Sequence, residues 1–204
     1  QKAIGSDIMM AMDLCIPSTS NFDDSKLAME QTHRWAVRSI EARGNSKQSI
    51  FGIIQGATHE KLRTLSADFI SSLPFDGLAI GGLAVGETKD ERELFTEIVT
   101  SRLEKNRPRY LMGVGTPIDL LEAVHRGVDM FDCIIPTKLA EQGVCYTSEG
   151  KVQLIRGVYK FQEEKLDPNC SCHTCTTYSR AYLHHLVKTC EPLSTQLLGD
   201  HNIH

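Results

Sequence analysis

Hydrophobic positions along the chain follow two alternating rhythms. Short runs that are apolar or β-branched at nearly every position occur at 7–12, 49–55, 77–80, 109–114 and 130–136, and they read as strands buried on both faces. Between them apolar residues return every three or four positions: Leu27, Ala28, Trp35, Ala36 and Ile40, then Leu62, Leu65, Phe69 and Leu73. That spacing predicts amphipathic helices. Helix boundaries are also written in. Thr88 with Glu91 forms a capping-box pattern, and Thr116, Pro117 and Asp119 supply an N-cap, a proline at the first helical position and an acid in the first turn, with Gly127 as the stop. Repeated strand–helix units imply a parallel sheet, either an open doubly wound sheet or part of a (β/α)8 barrel.

The polar residues decide between these architectures. Each predicted strand runs into chemically unusual residues: Asp13 and Cys15 after the first, Gln55-Gly56 after the second, Gly81-Gly82-Leu83 after the third, Met112-Gly113-Val114-Gly115 after the fourth, and Asp132-Cys133 within the fifth. In a barrel the C-terminal ends of all strands converge on one site, whereas an open sheet uses only the crevice at its switch point. The expected fold is therefore α/β, a (β/α)8 TIM barrel. Its units are too few to close, so the barrel is expected to be N-terminally incomplete. The chain opens on Gln1 and enters a strand almost at once, which reads as an N-terminally truncated piece of a longer protein.

A different chemistry appears past residue 136. Cys170-x-Cys172-x-x-Cys175 is followed by His201. Three thiolates and one imidazole fill the tetrahedral shell of a Zn²⁺ ion, the pattern of a structural site with no position left for a substrate water. His173, inside the cluster, competes as the fourth ligand. His201 is preferred because an apolar helix from about 177 to 190 can fold back and deliver a distant residue, while His173 is cramped between two ligands. Buried thiols or a disulfide set are the alternative readings. The expected organisation is a partial barrel with a substrate pocket over 1–136 and a zinc-binding subdomain with a β-hairpin and helix over 137–204.

Composition narrows the function classes. At 204 residues, 41% hydrophobic and 24% charged, the chain reads as a globular protein. No apolar run reaches the length of a membrane span, and no signal peptide is visible. The seven cysteines are odd in number and four of them, Cys15, Cys133, Cys145 and Cys190, are scattered, which fits a reducing cytoplasm. With a net charge of −4, any nucleic acid has to be gripped by a local basic patch. A zinc hydrolase would need an open coordination position and histidines at strand ends, and none of the eight histidines falls at one.

Several motifs together carry a family resemblance. They are Gly5-Ser6-Asp7-Ile8 with Met12-Asp13-x-Cys15, Phe51-Gly52-Ile53-Ile54-Gln55-Gly56, and Gly81-Gly82-Leu83-Ala84-Val85-Gly86-Glu87. Further on come Arg109-Tyr110-Leu111-Met112-Gly113-Val114-Gly115-Thr116-Pro117, Asp129-Met130-Phe131-Asp132-Cys133 and Ser179-Arg180-Ala181-Tyr182-Leu183-His184-His185-Leu186. With the cysteine–histidine set, they resemble the bacterial tRNA-guanine transglycosylases from one end of the chain to the other. The part covered is the C-terminal part of that family's enzyme.

The resemblance implies a pentosyltransferase that exchanges guanine at the anticodon wobble position of certain tRNAs for a 7-deazaguanine base, the precursor of queuosine, through a covalent Asp-ribosyl intermediate. Asp132 matches the nucleophile; by itself, an aspartate beside Phe131 reads as a cap or a turn residue. For the base, Asp13 accepts from the ring N–H and exocyclic amine, while Gln55 and the backbone N–H of Gly82 donate to the carbonyl. Cys15, Leu83 and Met112 line the pocket, with Met112 stacking on the base. Cys15 and Val85 suit the small aminomethyl precursor, with queuine left open.

Gly113, Val114, Gly115, Thr116, Pro117, Ile118 and Asp119 match a segment that touches the RNA backbone. Thr137, Lys138, Leu139, Ala140 and Glu141 match the segment that reads bases around the wobble nucleotide. That second segment departs from the family pattern Pro-Thr-Arg-x-x-Arg-x-Gly, since Lys138 and Glu141 replace its arginines and a bidentate donor is lost. Arg156, Lys160, Lys165 and Arg180 are further basic candidates. Ala57 stands where a second glycine is usual, and Leu14 where an acid is usual.

One structural zinc on Cys170, Cys172, Cys175 and His201, a cytoplasmic location and a homodimer are implied as well. The family's general acid/base aspartate lies in the opening barrel strands, so this chain alone is expected to be inactive. The alternative is a noncatalytic transglycosylase-like subunit that binds RNA. Such a subunit should lack the catalytic aspartate, and Asp132 in its Phe-Asp-Cys context argues against it.

Overall fold

The structure, a computed structural model, describes residues 1–204. The chain folds as two units, Gln1–Cys133 and Ile134–His204. The first alternates strand and helix: β1 (Ile8–Met10), α1 (Phe22–Arg43), β2 (Ser49–Ile54), α2 (Glu60–Ser71), β3 (Gly77–Ile80), α3 (Lys89–Thr100), β4 (Arg109–Leu111), α4 (Pro117–His125) and β5 (Met130–Phe131). The strands pair in sequence order and all in parallel. They form a curled sheet, an incomplete (β/α)8 barrel.

Burial on both faces explains the unbroken apolar runs. Ile50 to Ile54 and Gly77 to Ile80 are buried at every position. Ile50, Ile54, Leu78, Ile80 and Leu111 join Ala36, Ala67, Ile70, Phe95 and Val99 of the helices in one core. Two glycines let β2 and β3 receive aromatic rings. A side-chain carbon on Gly77 would lie 2.3 Å from the Phe51 ring, and one on Gly52 would lie 2.5 Å from the Phe75 ring.

Four of the predicted strands are shorter than their apolar runs. In the fifth, pairing ends at Leu111↔Phe131, because beyond it the Asp132 carboxylate takes the Gly113 amide that a ladder would have used. Asp132 and Cys133 therefore follow β5 and do not lie within it. Pro136 belongs to a helix, α5 (Ile135–Glu141), where a residue without an N–H fits the first turn. The helix faces are also turned from the expected ones. α1 buries Ser25, Ala28, Met29, Thr32 and Ala36, while Leu27 and Leu65 are 63% and 48% exposed. The stripe that α1 buries is therefore made mostly of small residues, with Met29, and Ile40 packs against the core.

The predicted caps are present. Thr88 Oγ1 accepts from the Glu91 amide while the Glu91 carboxylate accepts from the Thr88 amide. Thr116 accepts from the Asp119 amide, with Pro117 opening α4.

The second unit continues from α5 into a hairpin of β6 (Val144–Thr147) and β7 (Gly150–Gln153), then α6 (His173–Thr177), α7 (Arg180–Lys188) and α8 (Pro192–Ile203). Its core holds Ala140, Cys145, Leu154, Leu166, Leu183, Leu186, Leu197 and Leu198. The helix predicted over about 177–190 is present as α7 and is shorter at both ends. Tyr178 is extended and Ser179 caps α7. No helix of either unit is long and apolar enough to cross a membrane.

Candidate functional site

The ends of β1, β2 and β3 interlock through one glutamine. Gln55 is only 3% exposed. Its Nε2 donates to Asp13 Oδ2 at 2.7 Å, and its amide donates to Ser66 Oγ at 3.1 Å. The glycine pair of the β3 end exists to admit that side chain. A side-chain carbon on Gly81 would lie 2.7 Å from Gln55 Nε2, and one on Gly82 would lie 2.4 Å from Gln55 Oε1. Gly82 also takes φ +67°, open to glycine at no steric cost. The Cys15 thiol beside this group is held above its ordinary pKa by partial burial and then by the charge of Asp13. Leu83 is fully buried in the apolar core, and Met112 is half-buried just past β4.

The ends of β4 and β5 present a carboxylate. Asp132 is exposed, yet its Oδ1 is fixed twice. The Tyr110 hydroxyl donates to it at 2.6 Å and the Gly113 amide at 2.8 Å. Both donors use Oδ1, which leaves Oδ2 as the oxygen open to form a bond. Burial, then the bond to Asp132, raise the Tyr110 phenol well above its ordinary pKa, so it remains a proton donor here. Close packing joins the neighbouring strand ends. A side-chain carbon on Gly113 would sit 3.2 Å from the Ala84 methyl, and one on Gly115 would sit 2.3 Å from Cys133 Cβ.

The segment from Gly113 to Asp119 is anchored from α3. Arg92 bonds Asp119 at 2.8 Å and approaches Glu87 at 3.6 Å. Glu87, almost wholly buried at its side chain, accepts from the Val85 amide at 3.0 Å. Val114 is buried, while Gly113, Pro117 and Ile118 are exposed. The second candidate RNA segment lies on α5, where Thr137, Lys138 and Glu141 are exposed, Leu139 is half-buried and Ala140 belongs to the core of its unit. Arg156, Lys160 and Lys165 are exposed, but Arg180 donates to the Leu166 carbonyl and to Gln162.

Three residues of the first unit were not singled out in the sequence: Tyr110, Glu87 and Arg63. Arg63 stands on the buried face of α2 with Leu62, Ser66, Ala67 and Ile70, and that helical spacing was the available signal.

Cys170, Cys172, Cys175 and His201 bring one ligand atom each to within 4.8 Å of one another. His201 Nδ1 lies 3.6, 3.4 and 3.3 Å from the three sulfurs. A tetrahedral zinc, with Zn–S about 2.3 Å and Zn–N about 2.0 Å, separates sulfur and nitrogen by roughly 3.5 Å, so the residues fit the ion. The tautomer fits as well. His201 Nε2 donates to the Tyr146 carbonyl at 2.7 Å, which leaves Nδ1 for the metal. The Cys172 and Cys175 amides point at Cys170 Sγ and Cys172 Sγ. His201 arrives on α8, the helix that follows the 177–190 segment. His173 is exposed and turned to Thr177 and Tyr178. None of the seven cysteines forms a disulfide.

The queuine tRNA-ribosyltransferase family model matches residues 1–204. Among curated proteins, the queuine tRNA-ribosyltransferase of Bacillus velezensis is 48% identical over 205 residues, covering 100% of this chain and 54% of the relative. Those of Pseudomonas aeruginosa and Francisella tularensis are 47% and 46% identical over 203 residues, again covering 100% of this chain and 55% of each relative. The chain thus spans about half the length of the curated relatives it matches. On the match along its whole length, this chain belongs to the queuine tRNA-ribosyltransferase family.

Proposed function

We propose that the protein exchanges guanine at the wobble position of tRNA for a 7-deazaguanine precursor of queuosine, through a covalent bond between Asp132 and ribose C1′. The observation that carries this reading is the Asp132 carboxylate, fixed at Oδ1 by Tyr110 and Gly113 and open at Oδ2, past the end of a barrel strand.

In this mechanism Oδ2 bonds to C1′ as the N-glycosidic bond breaks, and the bonding pair departs with guanine through an oxocarbenium-like transition state. Guanine then takes a proton from the acid expected in the opening barrel strands. The incoming base gives its ring proton to that same residue, now a carboxylate, attacks C1′ from the face that guanine left and returns the electron pair to Oδ2. Two inversions retain configuration. Tyr110 and Gly113 aim the carboxylate as a nucleophile and stabilise it again as a leaving group. Asp13, Gln55 and the Gly82 amide read the Watson–Crick edge of a base drawn out of the RNA, while Cys15, Leu83 and Met112 bound that site.

The two RNA segments, Gly113 to Asp119 and Thr137 to Glu141, hold the backbone and the flanking bases. Zinc, held by Cys170, Cys172, Cys175 and His201, supplies folding energy to the second unit, since the protein fills all four positions. A cytoplasmic homodimer acting on free tRNA completes the reading.

The test is incorporation of radiolabelled guanine into a tRNA with a wobble guanosine, using the protein at the full length of its relatives. Asp132→Ala should lower exchange by at least about 10³-fold with unchanged zinc content and unfolding midpoint. Exchange that survives the substitution would sink the nucleophile assignment. A wild-type protein that binds tRNA without exchange would favour a noncatalytic RNA-binding subunit.

A further inference from the structure

Arg63 is the largest fully buried side chain in the molecule, with 0% of its surface exposed. No carboxylate lies within ion-pair distance of it. Its guanidinium donates to four carbonyl oxygens instead. Nε reaches Ala57 at 2.8 Å, Nη1 reaches Ile54 at 3.2 Å and Gly81 at 2.6 Å, and Nη2 reaches Gly82 at 2.9 Å. Burial lowers its pKa to about 10, so the group is charged at neutral pH. Glu87 raises its pKa from beyond ion-pair distance, but a buried cation with no carboxylate in contact is still a standing cost to the fold, and its position shows what the charge acts on.

Gly81 O and Gly82 N belong to one peptide unit, and Gly82 O and Leu83 N to the next. A cation bonded to the oxygen of an amide polarises it, so the N–H at the other end becomes a stronger donor. Neither the Gly82 nor the Leu83 N–H is used in the hydrogen bonding of the fold. Two polarised donors therefore stand unused beside Gln55, of which the Gly82 N–H belongs to a half-buried residue and the Leu83 N–H to a fully buried one. The same guanidinium ties the β2 end to the β3 end. Ala57, which it holds by the carbonyl, is kept at φ +46°, a conformation uncommon for a residue with a side chain.

We propose that Arg63 is a positioning residue for the departing base, its charge relayed through the Gly81-Gly82 peptide to the ring carbonyl oxygen, where negative charge collects as the glycosidic bond breaks. The inference rests on the proposed function and assigns the electrostatic source behind its base-recognition site. No bond to Arg63 forms or breaks and no proton leaves it. It acts in the manner of a preorganised oxyanion site, one peptide removed.

The test uses Arg63→Gln and Arg63→Lys in the full-length protein, each checked for its unfolding midpoint and zinc content. Guanine exchange is measured in a single turnover, and binding of free 7-deazaguanine by calorimetry. Arg63→Gln should slow exchange by about 100-fold with the KM for tRNA within about twofold of wild type. It should also weaken 7-deazaguanine binding by about tenfold. Arg63→Lys keeps the charge but reaches fewer carbonyls, and should recover about tenfold of the lost rate. A folded Arg63→Gln at the wild-type rate overturns the role, as do equal losses in the two variants, which would mark Arg63 as a clamp alone.

Should Arg63→Gln fail to fold, the Lys variant decides through the base. Its loss of affinity should appear with 7-deazaguanine and be absent with 2,6-diamino-7-deazapurine, which carries an amine in place of the carbonyl. Equal losses on both bases would refute the relay. A wild-type protein that neither exchanges guanine nor binds the base overturns the functional reading and this role with it; wild-type exchange with unaffected variants overturns the Arg63 role alone.

Discussion

His33 on α1 stacks its ring on Phe69 at 4.3 Å and places Nε2 3.0 Å from Ser66 Oγ, the hydroxyl that also receives the Gln55 amide. Burial pushes its pKa from 6.5 down to about 4, outweighing the opposing pull of Glu30. Between those values the unfolded chain binds a proton that the folded chain refuses, so stability is lost as pH falls through this window and levels off below it. His33→Gln should remove that component. Urea midpoints recorded from pH 7 to 4 should fall less steeply in the variant than in wild type; parallel curves would clear His33 of the effect. The residue scale is also where sequence reading divided most sharply. Asp13, Gln55 and Asp132 were legible because motifs carry them. Tyr110 was not, because its hydroxyl acts on a carboxylate that the chain supplies only after another helix. Arg63 was passed over because a charged side chain is assigned to solvent by default.

Elements were legible wherever their signals are local. The caps at Thr88 and Thr116 depend on contacts three residues apart, and both formed as expected. Strand ends depend on a partner elsewhere in the chain, and there the apolar runs at 7–12, 109–114 and 130–136 overstated the ladder. The β2–β3 junction shows how tightly pairing constrains a residue. Phe51 pairs with Gly77, and the ring occupies the volume that a side chain on Gly77 would need. Gly77→Ala should therefore destabilise the first unit by about 1–3 kcal/mol through overpacking, with a second substitution, Phe51→Leu, restoring part of the loss. A double variant no more stable than Gly77→Ala would place the strain elsewhere.

At the scale of the molecule, the second unit pairs a small core with a group of four residues that could hold a metal. Its apolar core is a short list of side chains, and small cores of this kind are commonly completed by a structural ion. Burial and the neighbouring Cys172 and Cys170 push the Cys175 thiol above its ordinary pKa, so thiolates this close need a cation to stand together. Binding of structural zinc is worth on the order of 10 kcal/mol in small domains. Cys172→Ser should lose zinc and become sensitive to protease within residues 134–204, with cleavage spreading over the same residues when wild type is treated with a chelator. Full zinc content in Cys172→Ser would contradict the ligand set.

The sequence by itself determined the order of strands and helices, the parallel sheet, the caps, the cysteine ligands and the family. Each of these is carried by neighbouring residues or by short motifs. Only the tertiary structure decided which face of α1 is buried, where β5 stops, that α8 delivers His201, and that Tyr110 and Arg63 stand behind the candidate site. Those outcomes depend on distant segments meeting, and close packing in three dimensions selects among faces and partners that the local pattern leaves equivalent.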